Sequence, residues 1–154
     1  MARPTLRKPS LLEVEYVAHT LAQALWQFGE PIPPFGTRYP EKLESCLKTP
    51  FQTYQRKSLY QTFDRKAAVL FYLMIKNHPF QNGNKRIAVV TLIYFLYTNG
   101  RKLTVGNRAL YEFAKEIAAS EAAESSGVMN LIQKFITQFS EKDTNINFVE
   151  RLIQ

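Results

Sequence analysis

The residues best suited to chemistry are nine in a row, His78-Pro79-Phe80-Gln81-Asn82-Gly83-Asn84-Lys85-Arg86. Glycine and asparagine stand where a new helix must open, because Ile87 to Tyr97 is apolar almost all round, the pattern of a helix surrounded by others. The first N–H groups of a helix lack intrahelical partners and carry the positive end of its dipole. Lys85 and Arg86 add two full positive charges in that first turn. Such charges disfavour a helix start unless an anion occupies it, and phosphate is the usual occupant. Arginine grips phosphate oxygens in a fork, whereas lysine is a mobile point charge. His78 precedes this cradle by a short loop, and an imidazole can take a proton from a hydroxyl near neutral pH. Each part alone has a blander reading: a histidine cap before a proline, a solvated Lys-Arg face, and Phe80 as a core anchor for the loop. Together they read as a phosphate cradle beside a general base.

The elements that must hold this segment are helical. Ser10 and Glu13 have the spacing of a capping box, and Leu11, Val14, Val17, Ala18, Leu21, Ala24 and Leu25 recur at helical spacing, so 10–29 is expected as a helix ending at Gly29. Pro31-Ile32-Pro33-Pro34 enforces an extended loop. A short amphipathic helix follows over 40–48, through Leu43 and Leu47. Thr49 to Gln55 alternates large and polar residues after a proline and reads as a short strand or hairpin arm. Leu59, Phe63, Ala67, Leu70, Phe71 and Met74 form one face of a helix over 58–76, which His78-Pro79 must break. The buried helix then runs from Gly83 or Asn84 to Thr98, stopped by Asn99-Gly100. Further helices are expected at about 107–119 and 126–141, with a final turn or short helix in 143–154. The fold class is all-α: a bundle of about six or seven helices with a buried central helix and a small β-hairpin, in a single domain spanning 1–154.

Composition narrows the function. Hydrophobic residues at 45% allow a core without staples, and 21% charged residues exclude global disorder. The single cysteine, Cys46, excludes an intrachain disulfide and reads as a small buried apolar residue. The basic N-terminus has no apolar stretch behind it, and no run approaches the roughly 20 residues of a membrane span. A soluble, cytoplasmic protein is expected, without a membrane partner. The net charge of +7 is scattered in short groups, so a general attraction to anions fits better than a nucleic-acid interface. His19, between Ala18 and Thr20, reads as an exposed or capping residue.

The string HPFQNGNKRIA closely resembles the signature of the Fic/Doc family, and within it the Doc (death-on-curing) branch. The general pattern is His-x-Phe-x-Asp/Glu-Gly-Asn-Gly-Arg-x-x-Arg, and His78, Phe80, Gly83, Asn84 and Arg86 fall on matching positions. The resemblance implies that His78 is the general base activating a Ser, Thr or Tyr hydroxyl of a target protein. Gly83, Asn84, Lys85 and Arg86 would hold the phosphates of ATP, the substrate. Phe51, Gln52 and Thr53, in a flap over about 49–56, would align the target peptide by strand addition. Fic proteins usually transfer AMP; Doc transfers the terminal phosphate to elongation factor Tu. Lys85 in place of the second motif glycine, as in Doc, favours the kinase reaction on a translation factor over AMP transfer. Asn82 stands where the family has its magnesium-binding carboxylate, and a neutral amide holds a hard cation more weakly. Val89 stands in place of the final arginine. These two departures also allow a catalytically degenerate nucleotide- or protein-binding module. Ser120…Glu124-Ser125 and Thr137…Glu141-Lys142 match the family's inhibitory pattern only in part, so a separate antitoxin protein is the expected regulator.

Overall fold

The computed structural model describes residues 5–143 and 148–153. The chain is a mostly helical bundle, as its periodicity predicts. Its first helical stretch has three parts: α1 (Leu11–Glu13), a π-helical turn (Val14–His19) and α2 (Thr20–Leu25). The capping box is present in both directions, Ser10 Oγ accepting from the Glu13 N–H and Glu13 Oε1 from the Ser10 N–H. The stretch ends four residues before Gly29. Trp26 leaves the helical region, and its indole N–H donates to the Leu152 carbonyl at 3.1 Å.

After the proline-rich loop, α3 (Pro40–Lys48) buries Leu43, Cys46 and Leu47. Burial raises the Cys46 thiol pKa to about 11, so the cysteine is an inert core residue, as its setting predicts. A 3₁₀ turn (Thr49–Phe51) leads into β1 (Thr53–Tyr54), which pairs antiparallel with β2 (Lys57–Ser58). The expected hairpin therefore forms. It also shortens the next helix: α4 is Phe63–Lys76, capped by the Thr62 hydroxyl, not 58–76. The ladder claims Ser58, and the Leu59 N–H donates to the Gln52 carbonyl, so Leu59 sits 53% exposed outside the helix face assigned to it.

The helix α5 (Asn84–Thr98) is central. It packs against α4, α6 (Asn107–Ala119), the π-helical turn and α8 (Phe148–Leu152). Ile87, Val89, Val90, Phe95 and Leu96 are fully enclosed. Val89 thus lies in the core and not at a cleft. α7 (Ser125–Phe139) covers α4. It stops before 141 because Ser140–Lys142 forms β4, antiparallel to β3 (Arg101–Leu103), a pairing between segments too far apart in sequence for local patterning to show. Among the described residues, no helix is long and apolar enough to cross a membrane.

Candidate functional site

The motif loop joins α4 to α5. Asn77 caps α4, and His78 follows with φ +47°, the left-handed conformation that ends many helices and that glycine usually supplies. Held there before a proline, His78 is a strained, exposed residue. The loop behind it is pinned at several points. The Tyr39 N–H donates to the Pro79 carbonyl at 2.9 Å. Phe80 is buried against the rings of His19 (5.6 Å) and Phe35 (6.0 Å), which bears out its reading as a core anchor. The Asn84 amide closes the turn from inside: Oδ1 accepts from the Phe80 N–H at 2.9 Å and Nδ2 donates to the Phe80 carbonyl at 2.8 Å.

His19 is a correction to the sequence reading. It is 3% exposed, its Nε2 lying 2.9 Å from the Pro33 carbonyl. The wide π turn shifts the helix face, so His19 joins Val14 and Ala18 inside. Burial holds its pKa below the ordinary value, with smaller opposing effects from the Pro33 carbonyl and Glu15. With Gln23, which donates to the carbonyls of Ile32 and Pro33, it fastens the proline-rich loop. That loop in turn backs Gly83. Gly83 has φ +79°, and a Cβ on it would fall 2.6 Å from Ile32 Cγ1. Only glycine meets both demands.

Gly83 has no side chain to cap α5, and the first helical bond runs from the Ile87 N–H to the Gly83 carbonyl. The N–H groups of Asn84, Lys85 and Arg86 therefore lack intrahelical partners. All three residues line a cavity of about 290 Å³, with His78, Asn82, Gly83 and Glu30 among its other walls. Lys85 is half-buried at its wall, and no ion pair holds it among the described residues.

Arg86 lines the same cavity, but its fork faces elsewhere. Nη1 donates to the carbonyls of Trp26 (3.1 Å) and Phe28 (2.7 Å), and Nη2 to that of Glu30 (2.5 Å). The guanidinium also lies 5.7 Å from the Phe28 ring centre. It is 5% exposed and gathers the carbonyls beyond α2, a favourable place for a cation.

Four features thus meet in one place: a strained histidine, an uncapped helix start behind a glycine, a lysine without an ion pair, and a buried arginine. The family model described as the Fic/DOC family matches residues 11–96, more than half of the 154-residue chain. The chain belongs to the Fic/DOC family. No curated protein and no solved structure is significantly similar to it.

In this Fic/DOC domain the hairpin lies away from the motif. Phe51 packs on Phe95 (5.7 Å), and Gln52 and Thr53 are exposed. The hairpin precedes the first turn of the 14-residue α4, while His78 follows its last. Phe51 sits at Phe95, eleven residues along α5 from Asn84, which at ~1.5 Å per residue is about 16 Å from the start of that helix. The structure therefore does not bring Phe51, Gln52 and Thr53 to His78; the segment that borders the motif loop is 29–39. Glu30 is the residue that local sequence reasoning missed. The Asn82 amide Nδ2 donates to its Oε2 at 3.4 Å and to the Pro31 carbonyl at 3.2 Å. Glu30 precedes Asn82 by 52 positions, and nothing in its neighbours marks it.

Proposed function

We propose that the chain transfers the terminal phosphate of ATP to a hydroxyl of a target protein, as a Doc-type toxin kinase. The observation that supports this reading is the uncapped start of α5, with Lys85 beside it, in one cavity with His78. Three main-chain N–H groups and a lysine form an anion site. The cavity is at the small end of ligand clefts, which run from roughly 300 Å³. It suits phosphate groups, with the nucleoside outside.

The step is a simple exchange. The target hydroxyl oxygen attacks the γ-phosphorus, His78 takes its proton, and the bond to the β-phosphate oxygen breaks to release ADP. The N–H groups and Lys85 hold the charge that spreads over the phosphoryl oxygens. Arg86 adds positive potential from behind and fixes the loop through Glu30. Magnesium, when bound with the nucleotide, supplies further neutralisation of phosphate charge; Asn82 and Glu30 are among the residues lining the cavity that carry side-chain oxygen donors. A translation factor of the elongation factor Tu kind is the target implied by the Doc resemblance, and a separate antitoxin protein the regulator.

ATP labelled at the γ-phosphate should mark a protein in a bacterial extract, and the label should vanish with His78→Ala. Marking from the α-phosphate alone would show AMP transfer instead. Binding of ATP without transfer from either position would leave a nucleotide-binding module.

A further inference from the structure

The family's cation carboxylate is absent from the motif, yet the carboxylate of Glu30, a residue that lines the cavity, meets the motif position from outside. Asn82 occupies the motif position, and the Glu30 Oε2 lies 3.4 Å from its amide nitrogen. The Glu30 backbone is fixed independently, since its carbonyl accepts from Arg86 at 2.5 Å. Glu30 lines the cavity together with His78, Gly83 and Lys85. No group of three or more His, Cys, Asp or Glu capable of holding a metal exists among the described residues, so a resident cation cage is not what this site offers. One carboxylate and one amide oxygen is instead the sparse protein contribution that magnesium accepts when nucleotide phosphates and water complete its shell.

We propose that Glu30, from outside the motif, replaces the missing motif carboxylate. With nucleotide phosphates in the cavity, its carboxylate and the Asn82 amide oxygen hold a divalent cation against them. The Asn82 amide, which now turns its nitrogen toward Glu30, presents its oxygen after half a turn about its last side-chain bond. Without the cation, the Glu30 charge faces the phosphates and opposes them. The inference rests on the nucleotide-binding reading of the cavity, and it predicts that nucleotide and metal bind together.

The test uses Mn²⁺ in place of Mg²⁺ and a non-hydrolysable ATP analogue, followed by calorimetry and by electron paramagnetic resonance of protein-bound Mn²⁺. In the wild-type protein, Mn²⁺ should tighten analogue binding at least about tenfold over EDTA. Glu30→Gln should lose that enhancement and the bound Mn²⁺ signal, yet bind the analogue in EDTA as tightly as wild type or more so. Adding Asn82→Asp to Glu30→Gln should restore both. Full metal enhancement in Glu30→Gln overturns the assignment. So does a wild-type protein that binds the analogue equally with Mn²⁺ and EDTA, and in that case the nucleotide site itself stands. No analogue binding under either condition overturns both.

Discussion

Arg86→Met separates the two roles an arginine at this position can play. Methionine keeps most of the buried stem and removes the guanidinium. Three hydrogen bonds go, to the carbonyls of Trp26, Phe28 and Glu30. A hydrogen bond to a charged group contributes about 1.5–3 kcal/mol. The bonds to the Phe28 and Glu30 carbonyls are only part-buried, whereas the bond to Trp26 is buried. Only one bond therefore counts near full value, and the total is about 3 kcal/mol. For a chain of this length each kcal/mol moves Tm by about 2–4 °C, so the expected loss is about 6–12 °C by differential scanning fluorimetry. Trp26, the single tryptophan, should report the loosened loop as a red-shifted emission. The companion variant Lys85→Ala should leave Tm within about 2 °C, because no ion pair is lost, and weaken ATP binding severalfold. The reasoning is refuted if Arg86→Met keeps the wild-type Tm while losing ATP affinity: the guanidinium would then serve the ligand and not the loop.

Three further outcomes follow from the site. His78→Gly should raise stability by about 0.5–1 kcal/mol while ending transfer, since the left-handed conformation costs a side chain about 1–2 kcal/mol and glycine returns part of that as chain entropy; urea unfolding together with label transfer checks both halves. Gly83→Ala should cost about 2 kcal/mol or more in urea unfolding and weaken ATP binding, because its Cβ meets Ile32 at 2.6 Å and φ is +79°. His19 is buried with a lowered pKa, so the unfolded chain binds its proton first as pH falls. Stability should therefore drop from about pH 6.5 downward until the folded-state histidine also titrates, by up to about 1.4 kcal/mol per pH unit; His19→Gln should flatten that part of the Tm-against-pH curve.

Much of the fold was legible because its helices carry strong local signals. The capping box at Ser10, the all-round apolar run of α5 and the Asn99-Gly100 stop each act within a few residues. Failures came where distant segments decide. Ser58 and Leu59 read as helix, but the β1–β2 ladder claims them. The end of α7 gives way to β4, whose partner lies about forty positions earlier. The same division holds at the site. His78, Gly83, Asn84, Lys85 and Arg86 are contiguous, so their common location was visible. What each side chain touches was not. Arg86 turns to carbonyls some sixty residues earlier, Asn84 turns back on Phe80, and Glu30 arrives from a loop with no motif of its own. The hairpin was found as a hairpin, but its distance from His78 depends on the length and direction of α4.

Transfer from γ-labelled ATP tests the central claim most directly. The wild-type protein incubated with a bacterial extract should place the γ-label on a protein hydroxyl, and His78→Ala should place none while still binding ATP. Equal labelling by His78→Ala, or no labelling by a wild-type protein that binds ATP, would contradict the assignment of the cavity as a phosphate-transfer site with His78 as its base.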